Sequence, residues 1–355
     1  MSTGLEIFET KEETQLKQKD LIGLSRAQNV RGIEHFAPNE YYGLDLIFKH
    51  WLGISIGKPL FFAVPHGVEI GDSQNLNLFT GREAVPILVY NNEIGKSNLL
   101  NYEIPGWKVQ GEHGFLILLH LLKMRDQLPH IGSARRGILF FPPHNSDTWR
   151  LEDTKFDEEI CKILLEQYGS STRVDISLPS ASLRSGRSLI YGQHGFRVVS
   201  SGDFRDPKFL NRFVNLVSDY EKISTKSIGG HVFYASVMNK KVDWLGENME
   251  DLFLTKVDDS GNQRTKTKIH PEILSVIKLL QSDMSIYQES KKILGENSVL
   301  DRERWLQLQD FGKLMDKLGF IIPGNHGWKP AIPSYLRRKV KDSHFFKTTF
   351  FGKSN

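Results

Sequence analysis

The chain has 355 residues, of which 39% are hydrophobic and 25% charged, the composition of an ordinary soluble globular protein. This length exceeds what one compact domain usually needs, so two domains are expected. The single cysteine, Cys161, excludes an internal disulfide and a zinc site built from cysteines, and it fits a reducing cytoplasm. The first residues are polar, which predicts no signal peptide, and no uncharged apolar run reaches the length of a membrane span.

The formal net charge of +4 is unevenly distributed along the chain. Residues 329–355 contain seven Lys or Arg and one Asp, a net charge of +6, which leaves −2 for residues 1–328. Five aromatic side chains lie among these charges: Tyr335, Phe345, Phe346, Phe350 and Phe351. Cationic and aromatic residues together favour binding to an anionic membrane surface. A solvated tail and an RNA-binding tail are the alternatives, and the slightly acidic remainder of the chain argues against a nucleic-acid partner.

In chain order, the first half predicts a polar segment to about residue 30, followed by helices that alternate with apolar strands. The predicted elements are a helix at 41–51, strands at 58–64 and 84–90, and an apolar helix at 114–124. Strands that are apolar along their whole length are typical of a parallel sheet covered by helices on both faces.

A second α/β pattern begins after a linker-like segment at 127–136. It predicts strands at 137–141, 173–178, 196–200 and 241–245, and helices at 157–168, 182–194, after Pro207, and at about 271–282 and 301–318. The expected fold class is α/β, with two Rossmann-like domains facing a cleft and a helical C-terminal segment. The expected parts are two α/β domains, a helical segment and the basic aromatic tail, at 1–132, 133–246, 247–328 and 329–355.

Residues 222–245 carry hydroxyls and glycines where a helix is expected to begin, namely Ser224, Thr225, Ser227, Gly229 and Gly230. A helix N-terminus offers unpaired backbone N–H groups and a partial positive charge, and both favour phosphate. The glycines let an anion approach the backbone, and the hydroxyls add donors without bulk. The segment predicts a phosphate site, with an ordinary capped helix as the alternative.

Four of the predicted strands are each followed by a polar loop. These loops lie at 65–72, 90–95, 141–148 and 200–206. Open parallel sheets bind ligands outside the carboxyl ends of their strands. Because two sheets that face a cleft bring such loops together, the pattern predicts a two-domain α/β enzyme.

Residues 195–242 resemble the donor-binding half of GT-B glycosyltransferases. In that group a strand, a helix and a Ser/Thr-Gly loop precede the pattern YA…GK.V, which Tyr234-Ala235 and Asn239-Lys240-Lys241-Val242 match here. The segment FFPPHNSDT at 140–148 resembles the strand-end histidine segment of bacterial sialyltransferase-like and Kdo-transferase-like enzymes of surface-polysaccharide synthesis. The chain departs at two points: Pro143-His144 stands where the sialyltransferase motif is His-Pro, and Asn239 stands at the usual glycine.

The resemblance implies a nucleotide-sugar donor, a CMP-sugar before others, and no cofactor. It implies that the donor is bound by His144, Ser146, Ser224, Thr225, Ser227, Gly229, Gly230 and His231. It also implies that the base comes from the first domain, where His66 is favoured and Glu69 and Asp72 compete with it. The sequence has no DxD carboxylate pair, so no metal site is expected.

The expected function is transfer of a sugar to a growing bacterial surface glycan of the capsule or lipopolysaccharide type. The acceptor would be a glycan or lipid-linked glycan, and the enzyme would be cytoplasmic, with its basic tail at the inner face of the plasma membrane. Two alternatives stay open. A GT-B-like nucleotide-sugar 2-epimerase would consume donor without acceptor, and a non-catalytic nucleotide- or glycan-binding protein would show neither transfer nor hydrolysis.

Overall fold

The computed structural model of the chain describes residues 32–64, 68, 87–89, 109–112, 114–128, 136–143, 154–246, 271–282, 284–298 and 302–317. Packing divides the chain into two units, and each is described by itself. Unit 1 contains Tyr41–Gly43 and the described residues of Ile117–Leu294, and unit 2 those of Arg31–Glu40, Leu44–Leu116 and Gly295–Asn355. The domain boundaries expected from the sequence stay predictions.

The described part of the chain contains both helices and strands. The helices are α1 (Leu44–Leu52), α2 (Gly114–Gln127), α3 (Thr154–Tyr168), α4 (Ser180–Arg184), α5 (Arg187–Gln193), α6 (Phe209–Ser218), α7 (Gly230–Val237), α8 (Pro271–Gln281), α9 (Tyr287–Ile293) and α10 (Arg302–Lys317). The strands are β1 (Ile87–Val89), β2 (Val109–Glu112), β3 (Arg136–Phe141), β4 (Val174–Ser177), β5 (Arg197–Val199), β6 (Tyr220–Thr225) and β7 (Lys241–Trp244). A short 3-10 helix at Ala37–Gly43 precedes α1.

A five-stranded parallel sheet forms the centre of unit 1, with the strand order β5-β4-β3-β6-β7. The chain enters at the central strand β3, moves outward through β4 to β5, and then returns to the other side of β3 with β6 and β7. The strand order therefore reverses between β3 and β6, as in doubly wound α/β folds.

The central strand β3 has Ile138, Leu139 and Phe140 buried, so both of its faces are covered, which is why this strand is continuously apolar after Gly137. A cluster of buried side chains joins β3 and β4 to the helices α3, α4 and α5: Ile138, Phe140, Ile160, Leu164, Ile176, Leu183 and Tyr191. Each fully buried side chain of this size contributes about 1.5–3 kcal/mol relative to exposure. The protein is thus a mixed α/β fold with a parallel sheet, and the arrangement of two domains around a cleft stays a proposal.

The strands and helices of unit 1 lie close to their predicted positions, with three differences, one of which is α9, where no helix was predicted. The predicted helix at 182–194 is two helices, α4 and α5, because the left-handed backbone of Gly186 (φ 84°) interrupts it. The predicted loop at the start of α7 is shorter, because Ser224 and Thr225 are the last residues of β6. Only Ile223 among residues 221–225 is apolar, which is why no strand was predicted there.

Unit 2 is organised around aromatic side chains of α1 and α10. The rings of Phe48 and Trp305 stack with centroids 5.4 Å apart, and Trp51 meets Trp305 edge-on at 4.8 Å. Strands β1 and β2 form a parallel pair in this unit. No helix in the described parts of the chain has the length and apolar character needed to cross a membrane.

The strand predicted at 58–64 is not formed, although most of its residues are buried or half-buried. Ala63 alone makes a ladder contact, accepting a hydrogen bond from the Leu88 N–H at 2.9 Å. The backbone N–H groups of this segment donate to side-chain oxygens instead. Leu60 N–H donates to Glu34, Phe61 N–H to Gln309, and Val64 N–H to Asn39. Side-chain acceptors thus replace a neighbouring strand.

Candidate functional site

The carboxyl ends of β3 and β6 lie side by side, because Phe141 pairs with Thr225 in the register of these parallel strands. These are also the strands between which the strand order reverses. Open α/β sheets bind ligands outside the carboxyl ends of their strands at such a reversal. The predicted phosphate loop between β6 and α7 therefore begins where the sheet topology predicts a ligand.

Thr225 is fully buried, and its hydroxyl organises the loop that follows. Thr225 Oγ1 accepts a hydrogen bond from the Ser227 N–H at 3.1 Å and lies 2.8 Å from the Ser227 carbonyl oxygen. It also lies 2.9 Å from Nε2 of His231 and 3.3 Å from the Phe141 carbonyl oxygen. A hydroxyl has one hydrogen to donate, so Thr225 donates to only one of its neighbouring acceptors. The direction of its hydrogen bond with His231 follows the tautomer of the imidazole.

His231 connects the ends of β3 and β6 to the first turn of α7. Its ring stacks on Phe141, with centroids 4.8 Å apart and an angle of 22° between the planes. A Cβ at Gly229 would lie 3.2 Å from His231 Nδ1, which is closer than side-chain carbons normally come. Glycine at position 229 therefore leaves room for the imidazole ring.

Helix α7 begins at Gly230, and its N-cap residue Gly229 makes no side-chain cap. The N–H groups of a first helical turn lack intrahelical partners, and the helix dipole adds a partial positive charge. Ser227 contributes a hydroxyl whose oxygen is buried and has no hydrogen-bond partner within the described residues. A helix start and a buried hydroxyl are therefore both available to a phosphate at this point.

Ser224 is separated from the other residues that are predicted to bind the nucleotide-sugar donor. It lies one residue before Thr225, and the alternation of a strand places its side chain on the other face of the sheet. Ser224 Oγ lies 2.8 Å from the hydroxyl of Tyr168, which donates to Asp243 Oδ2 at 2.9 Å. Lys222 forms an ion pair with the same carboxylate. Burial, reinforced by Asp243, raises the pKa of Tyr168, so the phenol stays protonated.

A buried arginine that was not predicted fixes the chain where it leaves β3. Arg187 donates from Nη1 to the Pro143 carbonyl oxygen at 2.9 Å and from Nε to Asp157 at 2.7 Å. Tyr191 donates to the same carboxylate at 2.7 Å. In the sequence Asp157 resembles an acidic residue of a helix start, and Arg187 lies 30 positions later. No local pattern indicates this pairing.

A second unpredicted network surrounds Asp203, on the loop after β5. The fully buried carboxylate accepts hydrogen bonds from Ser180 Oγ and Arg205 Nε, both at 2.9 Å, and from Arg184 at 3.3 Å. Burial alone would raise the pKa of Asp203. The hydrogen bonds from Arg205 and Ser180 outweigh burial and lower this pKa to about 2.

Several predicted residues lie outside the described part of the chain: His66, Glu69, Asp72, His144 and Ser146. The basic aromatic tail at 329–355 lies outside it as well. Their roles stay predictions. Across the described ranges, no group of three or more His, Cys, Asp or Glu side chains is arranged to hold a metal ion. Metal independence also stays a prediction.

No protein-family model and no curated protein matches the sequence. A search of solved structures finds similarity to the wall teichoic acid polymerase TagF, with 14% sequence identity and a TM-score of 0.25. The match covers 65% of this chain and 57% of that one. A TM-score of this size is too low to establish a shared fold.

Proposed function

We propose that the protein is a metal-independent glycosyltransferase of the GT-B type that uses a nucleotide-sugar donor. The observation that carries the proposal is the cluster of Thr225, Ser227 and His231 at the reversal of the strand order, directly before the start of α7. This is the position at which doubly wound sheets bind nucleotides, and the sequence around it resembles the donor half of that group.

The chemistry of glycosyl transfer explains why such a cluster is useful. When the sugar leaves its nucleotide, negative charge develops on the departing phosphate, and preorganised donors stabilise that charge. Helix α7 supplies its N-terminal N–H groups, and Ser227 supplies a hydroxyl. His231 is held by Thr225 and by stacking on Phe141. A fixed imidazole needs no reorganisation during the reaction.

The proposal keeps His66 as the base for the acceptor hydroxyl, with Glu69 and Asp72 as competitors. The described residues directly before this loop are held by one side chain in unit 2. The Asn39 amide donates from Nδ2 to the Phe62 carbonyl oxygen and accepts from the Val64 N–H, both at 2.8 Å. The residues that lead into the loop are therefore clamped by one side chain.

The proposed acceptor is a growing bacterial surface glycan, of the capsule or lipopolysaccharide type. The proposed location is the cytoplasmic face of the membrane, which the basic tail at 329–355 would contact through anionic lipids. A CMP-sugar is the first donor to test.

The first experiment is a thermal-shift screen of the full chain against CMP, UDP, GDP, CDP and ADP. A nucleotide at a hundred times its dissociation constant stabilises the folded state by roughly 2.7 kcal/mol, a shift of a few degrees in Tm. The expected result is one responding nucleotide in the wild type and a much smaller response in Thr225→Val. No response to any nucleotide would contradict the proposal.

The responding nucleotide then selects the sugar donors for a turnover assay. Release of nucleotide only in the presence of a glycan acceptor is the result expected of a glycosyltransferase. Donor consumption without acceptor would indicate an epimerase, and binding without consumption or hydrolysis would indicate a binding protein.

A further inference from the structure

Among the buried hydrogen-bond donors that have no partner in the described chain, two flank Thr225. One is the hydroxyl of Ser227, and the other is the indole N–H of Trp244, a residue that is only 4% exposed. Buried polar groups in folded proteins nearly always have a hydrogen-bond partner, and an orphaned donor is costly. Two such donors beside one residue call for a physical reason.

The sheet register locates Trp244 relative to the site. Thr225 and Trp244 are paired residues of the neighbouring parallel strands β6 and β7. Asp243 bonds to Tyr168 of α3, so alternation along the strand places Trp244 on the opposite face. That is the face on which the Thr225 hydroxyl meets His231 of α7. Trp244 therefore lies beside the start of α7, next to the loop that Ser227 belongs to.

The chemistry of these groups selects one class of ligand. An indole N–H is a donor only, a helix start presents N–H donors, and a serine hydroxyl donates readily. A group that accepts several hydrogen bonds and carries negative charge satisfies all of them, and a phosphate does so. On the face shared by Thr225 and Trp244, His231 adds a further ring that carries an N–H.

We propose that Trp244 is a ligand-binding residue whose indole N–H donates to a phosphate oxygen of the nucleotide, alongside Ser227. This inference rests on the proposed function, because it names a residue of the same site that sequence reasoning did not. Trp244 is the last residue of a buried strand, and from the sequence a tryptophan at such a position is expected only to pack against its neighbours. Its orphaned N–H is what distinguishes it.

The test uses Trp244→Phe in the full chain, which removes the N–H and keeps an aromatic ring. Dissociation constants are measured by calorimetry for the nucleotide that stabilises the wild type, and for pyrophosphate. A hydrogen bond to a charged group corresponds to roughly a tenfold to hundredfold weakening of binding when it is lost. Ser227→Ala, a smaller change, is expected to weaken binding of the same ligands.

A spectroscopic readout keeps the test independent of the stability of Trp244→Phe. The chain has six tryptophans, so the 15N-tryptophan-labelled wild type gives six indole signals. The signal missing from Trp244→Phe identifies residue 244. Should that variant not fold, Trp244→Tyr provides the assignment instead. The expected result is a downfield shift of this indole proton when nucleotide is added, since a new hydrogen bond deshields it.

The outcomes separate this inference from the proposed function. Wild-type nucleotide binding with an unchanged affinity in Trp244→Phe and an unmoved indole signal overturns the role of Trp244 and leaves the proposed function standing. Binding of pyrophosphate but of no nucleotide, with the indole signal shifted, supports the phosphate contact and contradicts the proposed function. If neither ligand binds or shifts the signal, both are overturned.

Discussion

The hydroxyl of Thr225 lies 2.9 Å from Nε2 of His231, and this contact joins the last residue of β6 to the second residue of α7. The same hydroxyl accepts a hydrogen bond from the Ser227 N–H, so it sets the course of the loop as well as the position of the imidazole. One buried oxygen therefore controls both groups that are proposed to meet the donor phosphate.

Thr225→Val tests this arrangement, because valine keeps the shape of the side chain and removes the oxygen. Ser227 N–H and His231 lose their partner, so the free energy of unfolding falls by roughly 1–2 kcal/mol. The affinity for the stabilising nucleotide falls by about tenfold or more, since the loop and the ring are no longer held. Urea unfolding and calorimetry measure the two effects.

Ser200→Ala is the matched control. At the end of β5, Ser200 Oγ accepts a hydrogen bond from the N–H of Gly202 at 3.0 Å, the same contact that Thr225 makes with the N–H of Ser227. Strand β5 lies two strands away from β3, where the strand order reverses. A similar loss of stability is expected, with unchanged nucleotide affinity. Equal effects of the two substitutions on affinity would show that Thr225 acts only through stability.

Ser224→Ala separates the two neighbouring hydroxyls of β6. Ser224 bonds to Tyr168 on the α3 face, away from the loop. Removing it costs about 1 kcal/mol of stability. The nucleotide affinity stays within about twofold of the wild type, because independent sites contribute additively. A large loss of affinity without loss of stability would restore Ser224 to the phosphate site.

The buried carboxylate of Asp203 predicts a pH dependence of stability. Its pKa is lowered from an ordinary value of 3.8 to about 2, so its stabilising contribution is complete above pH 4 and is lost as the pH falls from about 4 to about 2. The contribution is about 2 kcal/mol. In Asp203→Asn this loss is absent, so the difference in stability between wild type and variant shrinks as the pH falls through that window.

Asp126→Asn controls for this measurement. Asp126 pairs with Arg125 at 2.9 Å, but its side chain is 66% exposed. At every pH tested, Asp126→Asn is expected to differ from the wild type by less than about 0.5 kcal/mol in the free energy of unfolding, because exposed ion pairs contribute little. A wild-type curve parallel to that of Asp203→Asn between pH 4 and pH 2 would contradict the lowered pKa.

The sequence predicts four of the five strands of the sheet in unit 1, most clearly at 137–141, where a buried parallel strand is a run of apolar residues. It does not predict β6, whose polar residues follow α6 without a break in pattern. Because the sequence does not predict β6, it does not place the side chains of Ser224 and Thr225 on opposite faces of the sheet. Alternation would have separated them had β6 been recognised.

The departure at Asn239 from the glycine of the GT-B pattern has a physical explanation. Asn239 has a φ of 59°, in the left-handed region that glycine and asparagine adopt most easily. The following Lys240 donates to the carbonyl oxygens of Ser218 and Tyr220, at 2.9 and 2.6 Å. This part of the pattern is therefore a structural turn. Pairings such as Asp157 with Arg187 are not predictable, because they depend on the folded positions of distant residues.

Lys49 in unit 2 provides the strongest prediction about stability. Its ammonium is fully buried and lies 2.5 Å from Glu34 and 2.9 Å from Asp45, both of which are buried as well. Lys49→Met removes this cation from two buried carboxylates, which costs about 3–5 kcal/mol at neutral pH. Burial already raises the pKa of Glu34, and loss of the lysine raises this pKa further.

A group with a raised pKa favours the folded state at low pH, so Lys49→Met is expected to be less destabilised at pH 5 than at pH 7. Urea unfolding at both values measures this difference. Lys313→Met is the control in the same unit: its partner Asp310 lies 2.7 Å away, but both side chains are exposed, and the loss is expected to stay below about 1 kcal/mol. Destabilisation by Lys49→Met that is equal at the two pH values would show that Glu34 keeps its charge without the lysine.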